Sequence, residues 1–213
     1  DNAINKLLYI LRKHDTPATF FIRTNNVHYN PNLLRAIAAD GNEIGCHTDK
    51  HLQMTKYDGN TKKYVSIVNR DEYLLDLKGS YNTLEKVVGD VEVNGHYSLT
   101  RFFRPPTLVI SKVGLECVLD SGFEYIIEGY STKDYTAESY LKVRYSIEKQ
   151  LYRDDGSLRK GSIFVLHMGN SSAAISAEAL DFILTKNEQK SDNDPGKFKV
   201  GRLSDYLRDG YDQ

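Results

Sequence analysis

Two histidines stand four residues apart in Gly45-Cys46-His47-Thr48-Asp49-Lys50-His51. In a helical turn, positions i and i+4 share a face, so both imidazoles could reach one divalent ion. The alternative is two surface histidines on a polar turn, and the glutamate of the His-Glu-x-x-His metalloprotease pattern is missing. His167 closes the apolar run Ile163 to Leu166. A histidine at a strand's C-terminal end suits a general acid or base, because imidazole titrates near neutral pH. The plainer reading is a structural histidine bonded to backbone. Arg104 precedes Pro105-Pro106, two prolines that stiffen the loop and could hold its guanidinium against a carboxylate, unless it is an ordinary surface arginine. Asp134, within Tyr130-Ser131-Thr132-Lys133-Asp134-Tyr135, could orient a histidine or simply serve a turn. Cys46 beside His47 raises a thiol nucleophile against the alternative of a small residue closing a strand. There is no phosphate-cradling glycine loop and no nucleophile elbow, and His14, His28 and His96 carry no assigned role.

The elements that must position these residues alternate between strand and helix signals. A short stripe at Leu7, Leu8 and Leu11 predicts a helix that stops at Asp15-Thr16-Pro17. Ala18 to Ile22 reads as a buried strand. Asn30-Pro31 opens a helix closed near Gly41, and Glu43 to Cys46 forms a brief strand that delivers His47. Leu74, Leu77, Leu84 and Val88 mark a long helix over 71–88. Arg101-Phe102-Phe103 is a strand, and Ser111 caps the following helix. Tyr125 to Ile127 is the next strand, followed by a helix through Tyr140, Val143, Ile147 and Leu151 and by the strand Ser162 to Leu166. A last helix is expected over Ala177 to Leu184, a polar loop over 186–197, and a final strand at Phe198-Lys199-Val200. The stretch 53–63 reads as a surface excursion. Such alternation means an α/β fold with a mostly parallel sheet or barrel, in one domain.

With 213 residues, 40% hydrophobic and 27% charged, the chain can bury a sizeable core and is not a disordered polymer. Its 28 basic and 29 acidic side chains leave a formal charge of -1, which gives no general reason to expect nucleic acid or anionic lipid. No apolar run approaches the roughly 20 residues of a membrane span. Two cysteines exclude a dense disulfide framework.

Five segments, in order, resemble the polysaccharide deacetylases of carbohydrate esterase family 4, the NodB-homology domain. Ala18-Thr19-Phe20-Phe21-Ile22 is similar to the family's ATFF strand, and Asn30-Pro31 through Gly41-Asn42-Glu43-Ile44-Gly45 to its NP…GHEIG stretch. His47-Thr48-x-x-His51 resembles its metal motif, Arg104-Pro105-Pro106 its RPPY segment, and Ser162 to His167 its terminal strand with the catalytic histidine. The resemblance implies a distorted (β/α) barrel and a divalent metal, usually zinc, held by two histidines and an aspartate. It makes His47 and His51 ligands, gives Arg104 the task of steadying an aspartate base, and has Asp134 tune a proton-donating His167.

The family's first motif, TFDD, supplies the base and the third ligand on a first strand. Its counterpart is expected just upstream of residue 1, with Asp1 as its second member if the loop is shortened, so the chain is read as N-terminally incomplete and lacking that strand. Thr107-Leu108 stands for the usual Tyr-Gly, Tyr135 for a tryptophan, Ser131 for an aspartate, and Met168 for the aspartate that commonly follows the histidine. The activity implied is deacetylation of a polysaccharide, with N-acetylglucosamine polymers such as peptidoglycan or a chitin-like chain ahead of acetylated xylan, outside the cytoplasm or in the cell envelope. The rivals are a non-catalytic carbohydrate-binding protein that kept the fold, and a metal-free cytosolic hydrolase using Cys46.

Overall fold

The computed structural model describes residues 2–208. In chain order the elements are α1 (Asn2–Lys13), β1 (Thr19–Ile22), α2 (Pro31–Ala39), β2 (Glu43–Cys46), β3 (Thr55–Asp58) and β4 (Lys63–Ser66). There follow α3 (Arg70–Val88), β5 (Glu92–Val93), β6 (His96–Tyr97), β7 (Leu99–Phe103), α4 (Lys112–Asp120) and β8 (Tyr125–Ile126). The remainder holds β9 (Tyr130–Ser131), α5 (Tyr140–Leu151), β10 (Phe164–Val165), α6 (Asn170–Glu188) and α7 (Leu203–Arg208). They fall into two compact units, Ala18–Glu128 and the described parts of Asp1–Pro17 with Gly129–Gln213.

The unit Ala18–Glu128 is built on a parallel sheet of order β1-β2-β7-β8. Its central β2 is buried along its whole length, Glu43 included, whose carboxylate accepts from Thr19 Oγ1 at 2.9 Å. Gly45 is required there: a Cβ would come within 2.6 Å of the Phe21 ring and 3.2 Å of the Phe102 carbonyl. The helices start where side chains satisfy their open N–H groups. Asn30 accepts from Leu33, Asn69 from Glu72, and Ser111 from Gly114, each through the side-chain oxygen. Phe20, Ile37, Ile44, Leu77, Leu84, Phe103 and Val118 form the buried interior. The stretch 53–63 is more than an excursion, since β3 and β4 pair as an antiparallel hairpin. Its β4 is exposed throughout, so no buried face imposed a readable alternation.

In the second unit α6 packs against α1 and α5. Leu7 and Ile10 meet Ala177, while Val143 and Ile147 meet Ala179 and Ile183. The helix begins well before the expected Ala177, at Asn170, because its first turns bury small residues such as Ala173 and Ser176 rather than a hydrophobic stripe. β9 and β10 pair in parallel. The expected strand at 198–200 does not form. The Asn187 side chain takes the place of a neighbouring strand, accepting from the Phe198 N–H at 2.9 Å and donating to its carbonyl at 2.8 Å. Among the described residues no helix is long and apolar enough to cross a membrane.

Candidate functional site

His47 emerges at the C-terminal end of β2, where parallel sheets present their functional side chains. Its N–H donates to the Ile22 carbonyl at 3.1 Å, and the preceding Cys46 carbonyl accepts from Arg104 N–H at 3.0 Å. The ring is fixed as well: Nδ1 lies 2.6 Å from the Arg104 carbonyl oxygen. A carbonyl only accepts, so Nδ1 carries the hydrogen and the neutral ring has its lone pair on Nε2. The His47 and His51 rings lie edge to face, with centroids 5.0 Å apart and planes at 72°.

The backbone that brings them together is not the helical turn expected from their spacing. Thr48 and His51 sit in the left-handed region, at φ 63° and 61°. For residues with a Cβ that conformation costs about 1–3 kcal/mol and persists only where the surroundings over-determine it. They do so here. The carbonyls of Thr48 and Asp49 accept from the N–H groups of Thr24 and Asn25. Buried Thr48 Oγ1 accepts from Leu52 N–H at 3.1 Å. The two N–H groups between the strained positions, those of Asp49 and Lys50, donate to the two oxygens of Asp76 at 2.8 and 3.1 Å. Asp76, on α3, is a residue the sequence reading missed. Its signal was a carboxylate on the same buried stripe as Tyr73, Leu77 and Leu84.

Cys46 closes β2 as a fully buried thiol, with Sγ 3.1 Å from Ser80 Oγ. Desolvation pushes its pKa up to about 11, so it is not a thiolate at neutral pH and the nucleophile reading loses its chemistry. Arg104 is half-buried, its guanidinium carbon 5.0 Å from the centroid of Phe21. Beyond the two prolines, Thr107 and Leu108 take positive φ values of 66° and 60°. Asp1, the one residue of this chain offered as the second member of the family's aspartate pair, lies outside the described residues. Among the described residues no group of three or more His, Cys, Asp or Glu is arranged to hold a metal.

In the other unit, β10 leads to His167, and Asp134 holds it. Asp134 Oδ2 accepts from the His167 backbone N–H, and Oδ1 lies against the ring Nδ1, both at 2.7 Å. Ser176 Oγ on α6 also donates to Oδ2, a partner the sequence did not reveal. Burial pushes the Asp134 carboxyl upward, but the hydrogen bonds from His167 and Ser176 outweigh it and hold the pKa below its ordinary value. An ionised carboxylate only accepts, so the imidazole donates from Nδ1 and keeps Nε2 for proton exchange. The His167 side chain is 38% exposed while that of Asp134 is 0% exposed. The Tyr135 ring stands edge to face with His167, centroids 4.9 Å apart.

The sequence profile of the family described as polysaccharide deacetylase matches residues 1–126. The chain belongs to the polysaccharide deacetylase family. The uncharacterized protein YlxY of Bacillus subtilis (strain 168) is 47% identical over 53 residues, 25% of this chain and 17% of that protein. A peptidoglycan-N-acetylglucosamine deacetylase of Bacillus cereus is 28% identical over 134 residues, 63% of this chain and 42% of that protein. The chain therefore spans less than half the length of either relative. Among solved structures, a wild-type CE4 family pseudoenzyme from Bacillus anthracis superposes with a TM-score of 0.73 at 21% identity. That likeness covers 97% of this chain and 60% of the other, and identifies the fold as that of the CE4 deacetylases. The structure is compatible with the distorted barrel type that the motifs implied; its described strands form a four-stranded parallel sheet, a parallel pair and two antiparallel pairs.

Proposed function

We propose that this chain is the hydrolytic domain of a metal-dependent deacetylase that removes acetyl groups from a polysaccharide, with N-acetylglucosamine units of peptidoglycan or a chitin-like polymer as substrate. The observation that carries the reading is the imidazole pair on the turn after β2, with the tautomer of His47 already committed. Two imidazoles bound to one zinc ion at ~2.0–2.1 Å have ring centroids roughly 5 Å apart, and the observed separation fits that donor set. In this reading His47, through Nε2, and His51 hold a divalent ion, with zinc favoured by nitrogen ligands. When bound, the ion polarises an acyl carbonyl and acidifies water.

The chain's own groups supply the proton that the leaving group needs. His167, with Nδ1 committed to Asp134, carries a proton on Nε2 and gives it to the departing amine. Ionised Asp134 stabilises the imidazolium while it waits. Arg104 steadies the carboxylate base, a group assigned by family resemblance to the first motif. A polymer substrate of this class puts the protein in the cell envelope or outside the cell, in keeping with the peptidoglycan deacetylase of Bacillus cereus it resembles.

The test is metal content by mass spectrometry on the longest natural form, paired with acetate release from an N-acetylglucosamine oligomer. About one zinc per chain with chelator-sensitive acetate release is expected. Neither metal nor acetate would overturn the reading and favour a carbohydrate-binding protein. Metal with acetate released only from acetylated xylan would keep the hydrolase and replace its substrate.

A further inference from the structure

Three residues, Thr48, Asp49 and Lys50, separate the two histidines, and one side chain from outside the 47–52 segment accepts from the N–H groups of two of them. That side chain is Asp76 of α3, which is buried and accepts from consecutive N–H groups, Oδ1 from Asp49 and Oδ2 from Lys50. These two residues form the bridge between Thr48 and His51, the positions in the left-handed region. A chain released from Asp76 would have two unpaired donors at the bridge and could relax both strained residues, carrying the His51 ring away from His47. A second contact reinforces the bridge. Thr24 Oγ1 donates to the Asp49 carboxylate at 2.7 Å and also meets Ser80, one helical turn beyond Asp76 on α3, at 3.1 Å.

From this we infer that Asp76 is a positioning residue for the proposed metal pair: it sets the separation of the His47 and His51 rings from the helix behind them, touching neither ring. The inference rests on the reading of His47 and His51 as ligands. Both oxygens of Asp76 act as acceptors, so an amide cannot replace it. Asp76→Asn keeps one acceptor and turns an NH2 group against an N–H. Asp76→Glu keeps two acceptors on a longer arm.

Zinc affinity, measured by competition with a chromogenic chelator, and amide hydrogen exchange at residues 47–52 test this on the full chain. Asp76→Asn is expected to weaken zinc binding by about 10–100-fold. Exchange at Asp49 and Lys50 should be faster by at least about tenfold, while the Ser111-capped start of α4 stays at its wild-type rate. Asp76→Glu should recover part of both losses, which a merely packed carboxylate would not require. If Asp76→Asn fails to unfold cooperatively, Asp76→Glu carries the test alone, with an intermediate loss expected in both readouts. Unchanged exchange at Asp49 and Lys50 would overturn the inference whether or not zinc binds. Faster exchange with wild-type zinc affinity would overturn the positioning role. A wild-type chain that binds no zinc would overturn the ligand reading itself, and the positioning role with it, while exchange would still report what Asp76 does to the turn.

Discussion

Asp134 grips His167 at two points, its backbone N–H and its ring Nδ1, each at 2.7 Å. Asp134→Asn keeps one acceptor of two, so its NH2 must face either the ring Nδ1–H or the donors His167 N–H and Ser176 Oγ–H, and one of the contacts that hold the imidazole is lost. Turnover is expected to fall on the order of 10²-fold or more with metal content unchanged, as read by steady-state acetate release. The same pair sets a pH dependence. The folded pKa of Asp134 lies below its unfolded value of about 3.9. Its stabilisation is therefore fully present above that value and is lost as pH falls through the lower folded pKa. Urea midpoints compared at pH 7 and in this acidic window should converge for wild type and Asp134→Asn, and a gap that persists in acid would contradict the assignment.

The two histidine groups should separate by their losses. His47→Ala is expected to lose zinc and activity together. His167→Ala should retain zinc and lose about 10²–10⁴-fold in turnover. Zinc content of the purified variants decides between them, and loss of metal from His167→Ala would contradict its role as proton donor.

Both cysteines are reduced and buried, and burial raises both thiol pKa values. Neither should react with a disulfide reagent at pH 8 in the native protein, and both should titrate in guanidinium. Loss of hydrolysis on native alkylation, with chelation harmless, would revive the thiol mechanism.

The hydroxyl of Tyr73 is buried on α3 with no hydrogen-bond partner among the described residues. A buried hydroxyl without a partner costs about 1–3 kcal/mol by mutational measures. Tyr73→Phe should therefore hold or raise stability, by up to about 1 kcal/mol in chemical denaturation. A loss of that size would mean the hydroxyl has a partner in solution.

Gly45→Ala is expected to destabilise the protein by about 1–3 kcal/mol, since the new methyl meets the Phe21 ring at 2.6 Å. That ring lies under the Arg104 guanidinium. The same substitution should therefore lower turnover more than its stability loss explains, as measured well below the melting transition.

Much of the fold was legible because burial and capping write themselves into residue type. Phe20-Phe21-Ile22 and Ile44-Gly45-Cys46 are apolar runs within β1 and the fully buried β2, and Asn30 and Ser111 stand where helix N–H groups need an oxygen. What stayed hidden lacks such a pattern. The hairpin of β3 and β4 is largely exposed, the first turns of α6 are small rather than hydrophobic, and Asn187 stands in for a strand at Phe198 through an amide that reads as loop chemistry. Of the candidates named from the sequence, the structure pairs His47 with His51 and His167 with Asp134. Asp76 and Ser176 were not legible, because each acts through a fold-dependent contact far away in sequence.

The tether on His47 is a main-chain carbonyl, and every amino acid supplies one. Any substitution at position 104 leaves that acceptor in place, so the ring's tautomer is insulated from side-chain mutation. The tether on His167 is a side chain that a single substitution deletes. Under random mutation the two histidines thus decay at different rates, and a lineage drifting away from selection would lose the orientation of His167 while His47 still presented the same nitrogen.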